Sequence, residues 1–453
     1  MKMSQNFTQG KILMPLVRFT GPLLLALFLQ TMYGAVDMII VGQFAAAADV
    51  SAVSTGSWVI SIITSFVVGI SMGTTILLGR RIGEGRPEEG GKIIGASLVL
   101  FAIMAVVLTV CVELFSAPLA RLLQTPPEAY DATLRYMRIC AAGTVFIAAY
   151  NVLGSIFRGI GNSTVPLVTV VIACGVNILG DLLFCAMLHM GAAGAAIATV
   201  AAQGISVLLS LLLIRGRQFA FTFKPKQDIR ADKSIMGEVF KLGVPIAFQD
   251  ILVGISFMAI TAIVNSLGLI ASAGVGVAER LCGFIMLVPS AFSQAMSAFV
   301  AQNMGAGKPK RARRALLCGV SVSFAVGVVM FILAFFFGDA MSSIFTNDRE
   351  VIAASADYLR SYAIDCLLVA FMFCLTGYFS GCGNTTFVMV QGIIGAFLVR
   401  LPVSFLMSRI EPVSLFLVGL ATPCSSFVQI ILCGVFFLLL LKKERRGELP
   451  LSV

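Results

Sequence analysis

Two aspartates, Asp37 and Asp181, interrupt long apolar stretches of the chain. Asn177 stands four residues before Asp181, which on a helix places the two on one face. Asn151 lies in the preceding apolar stretch and Thr199 in the following one. Two carboxylates with amide and hydroxyl oxygens form a ligand set for a hard cation. Na⁺ would take such oxygens by the logic that governs Ca²⁺ and Mg²⁺. The same set suits a proton, because two nearby acids in low dielectric cannot both ionise cheaply. The competing reading is that the two acids only hydrogen-bond helices together. A second group of polar residues lies further along: Gln249, Asp250, Asp365 and Arg400, with Glu279 and Arg280 nearer a span end. Arg400 could neutralise Asp250 or Asp365, or it could bind substrate.

These residues need elements that hold them inside a membrane. Of 453 residues 58% are hydrophobic and 12% charged, about half the charge of a soluble domain. Mean hydropathy is +0.99. That excludes an ordinary cytosolic enzyme, a disordered chain and a nucleic-acid binder. Twelve stretches are long and apolar enough to cross a bilayer as helices. They run about 16–42, 55–79, 93–115, 134–157, 164–188, 191–214, 239–265, 275–302, 315–337, 358–380, 386–408 and 413–441. None alternates in the manner of a barrel strand. The net charge of +10 resides in connections between these runs. With the N-terminus inside, 24 Lys and Arg fall on the inner side and 6 on the outer, so both termini are expected in the cytoplasm. Eleven Cys lie mostly in apolar runs without CxxC spacing and read as small buried hydrophobes. No cleavable signal peptide is expected, since no small-residue cleavage site precedes the first span. His189 is the single histidine; it reads as an interfacial loop residue, and no HExxH-type metal site or hydrolase pattern exists. An enzyme is not expected, and neither is a cofactor.

The chain repeats itself at an offset of 222–223 residues. Gly83-Glu84-Gly85-Arg86-Pro87 matches Gly305-Ala306-Gly307-Lys308-Pro309, Tyr136-Met137-Arg138 matches Tyr358-Leu359-Arg360, and Gly161-Asn162 matches Gly383-Asn384. Pro22 matches Pro245. Six spans per copy give both copies one orientation. The expected fold is therefore an all-α polytopic membrane protein. Its twelve helices form two six-helix bundles related by a pseudo-two-fold axis along the membrane normal. The expected division is an N-terminal lobe 1–214, a cytoplasmic linker 215–238, a C-terminal lobe 239–441 and a cytoplasmic tail 442–453. Polar residues present in one copy only are the functional candidates. Asp37 faces Ile260 across the repeat, Asn177 faces Val399, Asp181 faces Val403 and Asn151 faces Phe373. By helical rise, Asp181 and Thr199 sit at similar depth, about 12 Å from the 189–194 turn. Pro22 shares a helix with Asp37, so ion binding at one end could couple to bending at the other. The 35 Phe and 20 Met would give any cleft a soft wall suited to varied apolar cations.

With these blocks in view, the chain resembles multidrug and toxic compound extrusion (MATE) transporters of the prokaryotic type over its whole length. The resemblance rests on Gln30-Thr31-Met32-Tyr33-Gly34-Ala35-Val36-Asp37 in the first span, on Gln302-Asn303-Met304-Gly305-Ala306-Gly307-Lys308, and on the repeated GxGN turns. It implies two lobes arranged in a V. It also implies multidrug efflux, the export of organic cations or drugs in exchange for H⁺ or Na⁺ by alternating access. The cation site it implies matches Asp37, Asn177, Asp181 and Thr199, with Asn151 and Tyr136 as further polar positions and Pro22 as a hinge. Gln30, Tyr33, Gln249, Asp250, Asp365 and Arg400 are candidates to line the substrate cavity. The Glu and Asp of a C-lobe cation site, found in some members, have no matching positions here. The expected setting is a plasma or inner membrane, with the protein acting as a monomer in the lipid bilayer. The runner-up is a flippase for a lipid-linked precursor in the same superfamily.

Overall fold

The computed structural model describes residues 6–215 and 223–446. The middle of the linker expected at 215–238 and the end of the tail expected at 442–453 lie outside the described residues. The helices in chain order are α1 (Leu13–Phe44), α2 (Ala47–Gly83), α3 (Gly90–Leu122), α4 (Pro127–Ala142), α5 (Thr144–Gly159), α6 (Thr164–Asp181) and α7 (Gly191–Arg215). There follow α8 (Pro225–Asp228), α9 (Lys233–Asn265), α10 (Leu269–Ile285), α11 (Leu287–Gly305), α12 (Pro309–Phe336), α13 (Gly338–Ser342) and α14 (Arg349–Gly381). The last are α15 (Thr385–Ile393), α16 (Leu401–Met407), α17 (Leu415–Gly419) and α18 (Ala421–Arg445).

Eleven helical runs are each long and apolar enough to span a bilayer, and the pair α4–α5, bent by 48°, supplies the twelfth. The fourth span is thus a broken helix with Gly143 at the break. A side chain at Gly143 would run into Val200 of α7, so the residue at the bend must be small. Two spans carry a wider turn. A π-helical segment, Leu182–Met187, follows α6, and another, Ile394–Arg400, joins α15 to α16. Large apolar residues such as Leu114, Leu179, Leu212 and Leu398 are exposed while Asn177, Asp181 and Asp365 are buried. This inversion of the soluble pattern is what a lipid surround requires. The chain is a multi-pass membrane protein.

The repeat is visible in the backbone. Gly85 and Gly307 adopt φ of +76° and +64°, and Gly161 and Gly383 adopt +80° and +87°. These repeat-equivalent turns reverse the chain in a conformation that glycine alone enters freely. Asn162 Oδ1 accepts from the amides of Thr164 and Val165, which starts α6.

The chain divides into two compact units. One holds Gly21–Ala247, the other holds Phe7–Thr20 together with Phe248 onward. The first turns of α9 therefore pack within the first unit. Gly69 of α2 lies against Ala247, Gly73 against Val239, and Gly243 against Ile70. Arg81 reaches Glu84, Glu89 and Glu238. The start of α1 packs within the second unit in the same manner. Phe7 is fully buried and stacks on Phe299 of α11 at 4.8 Å, with its edge to Phe19 at 5.0 Å. Asn303 and Arg311 both donate to its carbonyl. Arg311 also donates to the carbonyls of Gln9 and Gly10. Within the second unit α14 is the central helix, packed by α10, α11, α12 and α18.

Candidate functional site

Three helices of the first unit assemble the site. Apolar contacts of Ala26, Val170 and Cys174 with Leu29 and Tyr33 lay α1 on α6. Gly180 of α6 lies against Ala198 of α7, where an added Cβ would stand 2.9 Å from the Ala198 methyl. That close approach lets Asn177 Nδ2 donate to Thr199 Oγ1 at 3.4 Å. It spends the amide's donor on Thr199 and leaves Asn177 Oδ1 free. Asp181 follows one turn later at the mouth of the π-helical segment, a distortion that recurs at functional sites.

Asp37 of α1 comes to meet Asp181 of α6, and the two carboxyls are neighbours. Asp37 is 8% exposed and Asp181 fully buried. Both oxygens of Asp181, Asp37 Oδ1 and Asn177 Oδ1 receive no hydrogen bond. Four buried acceptor oxygens without a donor are costly in hydrocarbon unless a cation or a proton joins them. The donor set is all oxygen, which fits a hard cation. Among the described residues, no group of three or more His, Cys, Asp and Glu could hold a metal ion.

The remaining expected residues divide. Tyr136 of α4 is buried, bonds Ser57 through its hydroxyl at 2.9 Å and rests its ring against Gly56. Asn151 spends its amide on its own helix, donating to the Ile147 carbonyl at 2.8 Å. Tyr33 is half-buried beside Cys174. Gln30 donates to Tyr150 at 2.8 Å. Pro22 sits one residue past the point where α1 passes into the first unit, and it lacks the N–H that would complete the turn there.

In the second unit, Gln249 packs on Gly392 and Asp250 is exposed. Arg400, at the end of the second π-helical segment, is 5% exposed. Its guanidinium donates to Ser256 Oγ at 3.2 Å and lies over the Phe257 ring at 4.4 Å. Among the described residues it makes no ion pair within 4 Å of either Asp250 or Asp365, the two partners expected of it. Asp365 is buried within its field, near Ser426. Glu279 accepts from Thr261 at 3.3 Å.

Two residues escaped the sequence reading. Tyr150 anchors Gln30. Arg158 donates to Ser155 at 2.6 Å, and Ser155 in turn donates to Ser71 at 2.7 Å. Their repeat counterparts are Met372 and Ser380, so the comparison of halves that singled out the aspartates also marks these two.

The repeat itself decides the family. The MatE family pattern matches the chain twice, at residues 22–183 and 245–406, each match opening on one of the paired prolines. The chain belongs to the MatE family. MatE relatives match it nearly end to end. The Probable multidrug resistance protein YoeA of Bacillus subtilis is 26% identical over 433 residues, 94% of each chain. The FAD transporter of Shewanella oneidensis is 25% identical over 428 residues, 92% of each. A solved structure of MATE in complex with MaL6 aligns with a TM-score of 0.90 at 20% identity, covering 97% of this chain and 99% of that one. That likeness shows the twelve-helix fold.

Proposed function

We propose that this MatE protein is a secondary active exporter of organic compounds, driven by the inward return of H⁺ or Na⁺ through the Asp37–Asp181 site. The observation that carries the reading is the donor-free group of buried oxygens on Asp37, Asn177 and Asp181. An ion drives a cycle only by binding one conformation more tightly than the other. A carboxyl pair supplies that difference when the spacing of α1 and α6 changes. Drawn together, the pair demands a shared cation or proton. Drawn apart, each acid can be solvated and release it. Pro22 gives α1 a place to bend. The cycle is alternating access, with the protein in a plasma or inner membrane, both termini cytoplasmic and one chain sufficient. The proposed lobes are 1–214 and 239–441, and the family pattern matches once within each, at 22–183 and 245–406.

The expected cargo is a lipophilic cation; the multidrug resistance name of YoeA supports drug-like cargo. The FAD transporter carries an anion by its name, so cargo charge is an assay variable. The assay loads liposomes containing the purified protein with a fluorescent lipophilic cation and follows flux under an imposed pH gradient, then under an imposed Na⁺ gradient. Flux driven by one gradient supports the reading and names the ion. Flux indifferent to both gradients overturns it and favours the flippase reading.

A further inference from the structure

The first two turns of α12 carry Lys310, Arg311, Arg313 and Arg314, with Lys308 just before them and no acid. A helix N-terminus favours anions and disfavours cations, so five bases there run against the dipole. The repeat-equivalent turn of the first unit has the same proline but reads Pro87-Glu88-Glu89. Glu89 is paired there with Arg81 and Arg86. Orientation in the membrane needs bases on the inner side, but it does not need them on a helical first turn.

In the second unit, Arg311 is consumed by the carbonyls of Phe7, Gln9, Gly10 and Lys11 and Lys308 by the carbonyl of Thr8. Arg313 bonds Glu444 through both Nη atoms, at 2.7 and 3.3 Å. That bond sets the last turn of α18 beside the start of α12 and engages Glu444. Lys310 and Arg314, one turn apart on α12, stay exposed, as do Lys442, Lys443 and Arg445 on α18. None of these five has an ion-pair partner within 4 Å among the described residues.

We propose that this two-helix patch binds the phosphate headgroup of an anionic phospholipid. The patch terminates two membrane-spanning helices, which puts it at headgroup depth. There Lys and Arg bind anionic lipid. A lipid phosphate supplies the negative charge that the first unit supplies from Glu88 and Glu89. The inference rests on the membrane reading alone and is independent of cargo and coupling ion.

The test measures thermal unfolding of the purified full chain in detergent with added dioleoyl phosphatidylglycerol or the same amount of dioleoyl phosphatidylcholine. Phosphatidylglycerol raises the midpoint of the wild type more than phosphatidylcholine does. The variant Lys310→Gln/Arg314→Gln/Lys442→Gln/Lys443→Gln loses the difference, with apparent affinity at least tenfold weaker. Arg86→Gln/Lys92→Gln, at the equivalent turn of the first unit, keeps it. Native mass spectrometry of the milder Lys310→Gln/Arg314→Gln variant, which shows fewer retained phosphatidylglycerol molecules, covers the case of poor folding. Equal effects of the two lipids, or a full shift in the four-site variant, overturn the proposal. A wild-type shift reproduced by millimolar inorganic phosphate alone assigns the patch to a soluble phosphate and overturns the lipid.

Discussion

At the scale of single residues, the acids of the first unit are a matched set. Asp37 and Asp181 work as a pair, so their substitutions should not add. Asp37→Asn, Asp181→Asn and the double variant should all abolish gradient-driven flux to a similar extent in liposomes, because removing either carboxylate already destroys the shared site. A double variant much worse than either single one would mean that the acids act separately. Arg400 behaves differently. Its buried guanidinium bonds Ser256, covers the Phe257 ring and acts on the buried Asp365 at longer range, and Leu in its place removes all three interactions. Arg400→Leu should destabilise the fold by roughly 3 kcal/mol, seen as a lowered unfolding midpoint, and Asp365→Leu on top should restore part of the loss. The aspartates were legible in the sequence because their repeat partners are Ile260 and Val403. The bond from Asn151 to Ile147 was not, because an amide's choice between its own helix and a neighbour is made by its rotamer.

At the scale of elements, the site depends on how closely α6 and α7 approach. Gly180→Val would press a branched side chain into Ala198, separate the two helices and pull Asn177 from Thr199. Overpacking of this kind costs about 1–3 kcal/mol. Ion-driven flux should fall further than thermal stability does, whereas Gly175→Val on the same helix, which has open space at that position, should leave flux near the wild type. Phe7 is the corresponding anchor of the second unit. Phe7→Ala removes a fully buried ring and should lower stability by roughly 3–5 kcal/mol, again read from the unfolding midpoint. The twelve spans were legible because hydrocarbon thickness fixes their length. The break at Gly143 and both π-turns were not, since they follow from packing against neighbours and leave hydropathy unchanged. The placement of residues 7–20 in the second unit was equally hidden. Phe7 is one apolar residue in a polar stretch, and only the surface formed by α11 and α12 tells where it goes.

At the scale of the whole molecule, the duplication explains both the architecture and the site. The shared residues, such as the paired glycines at positive φ and the paired prolines, hold the common scaffold. The unshared ones give each unit its own charge pattern: two acids within the first, a guanidinium with Asp365 within the second, and a basic patch at the ends of α12 and α18. The central claim is that an ion bound by Asp37 and Asp181 drives export. The most direct measurement compares wild type and Asp181→Asn in liposomes for two reactions, gradient-driven flux and gradient-free exchange of labelled for unlabelled cargo. The account predicts that the variant loses the first while keeping cargo binding and exchange, because only coupling has been removed. Gradient-driven flux undiminished in Asp181→Asn would contradict it.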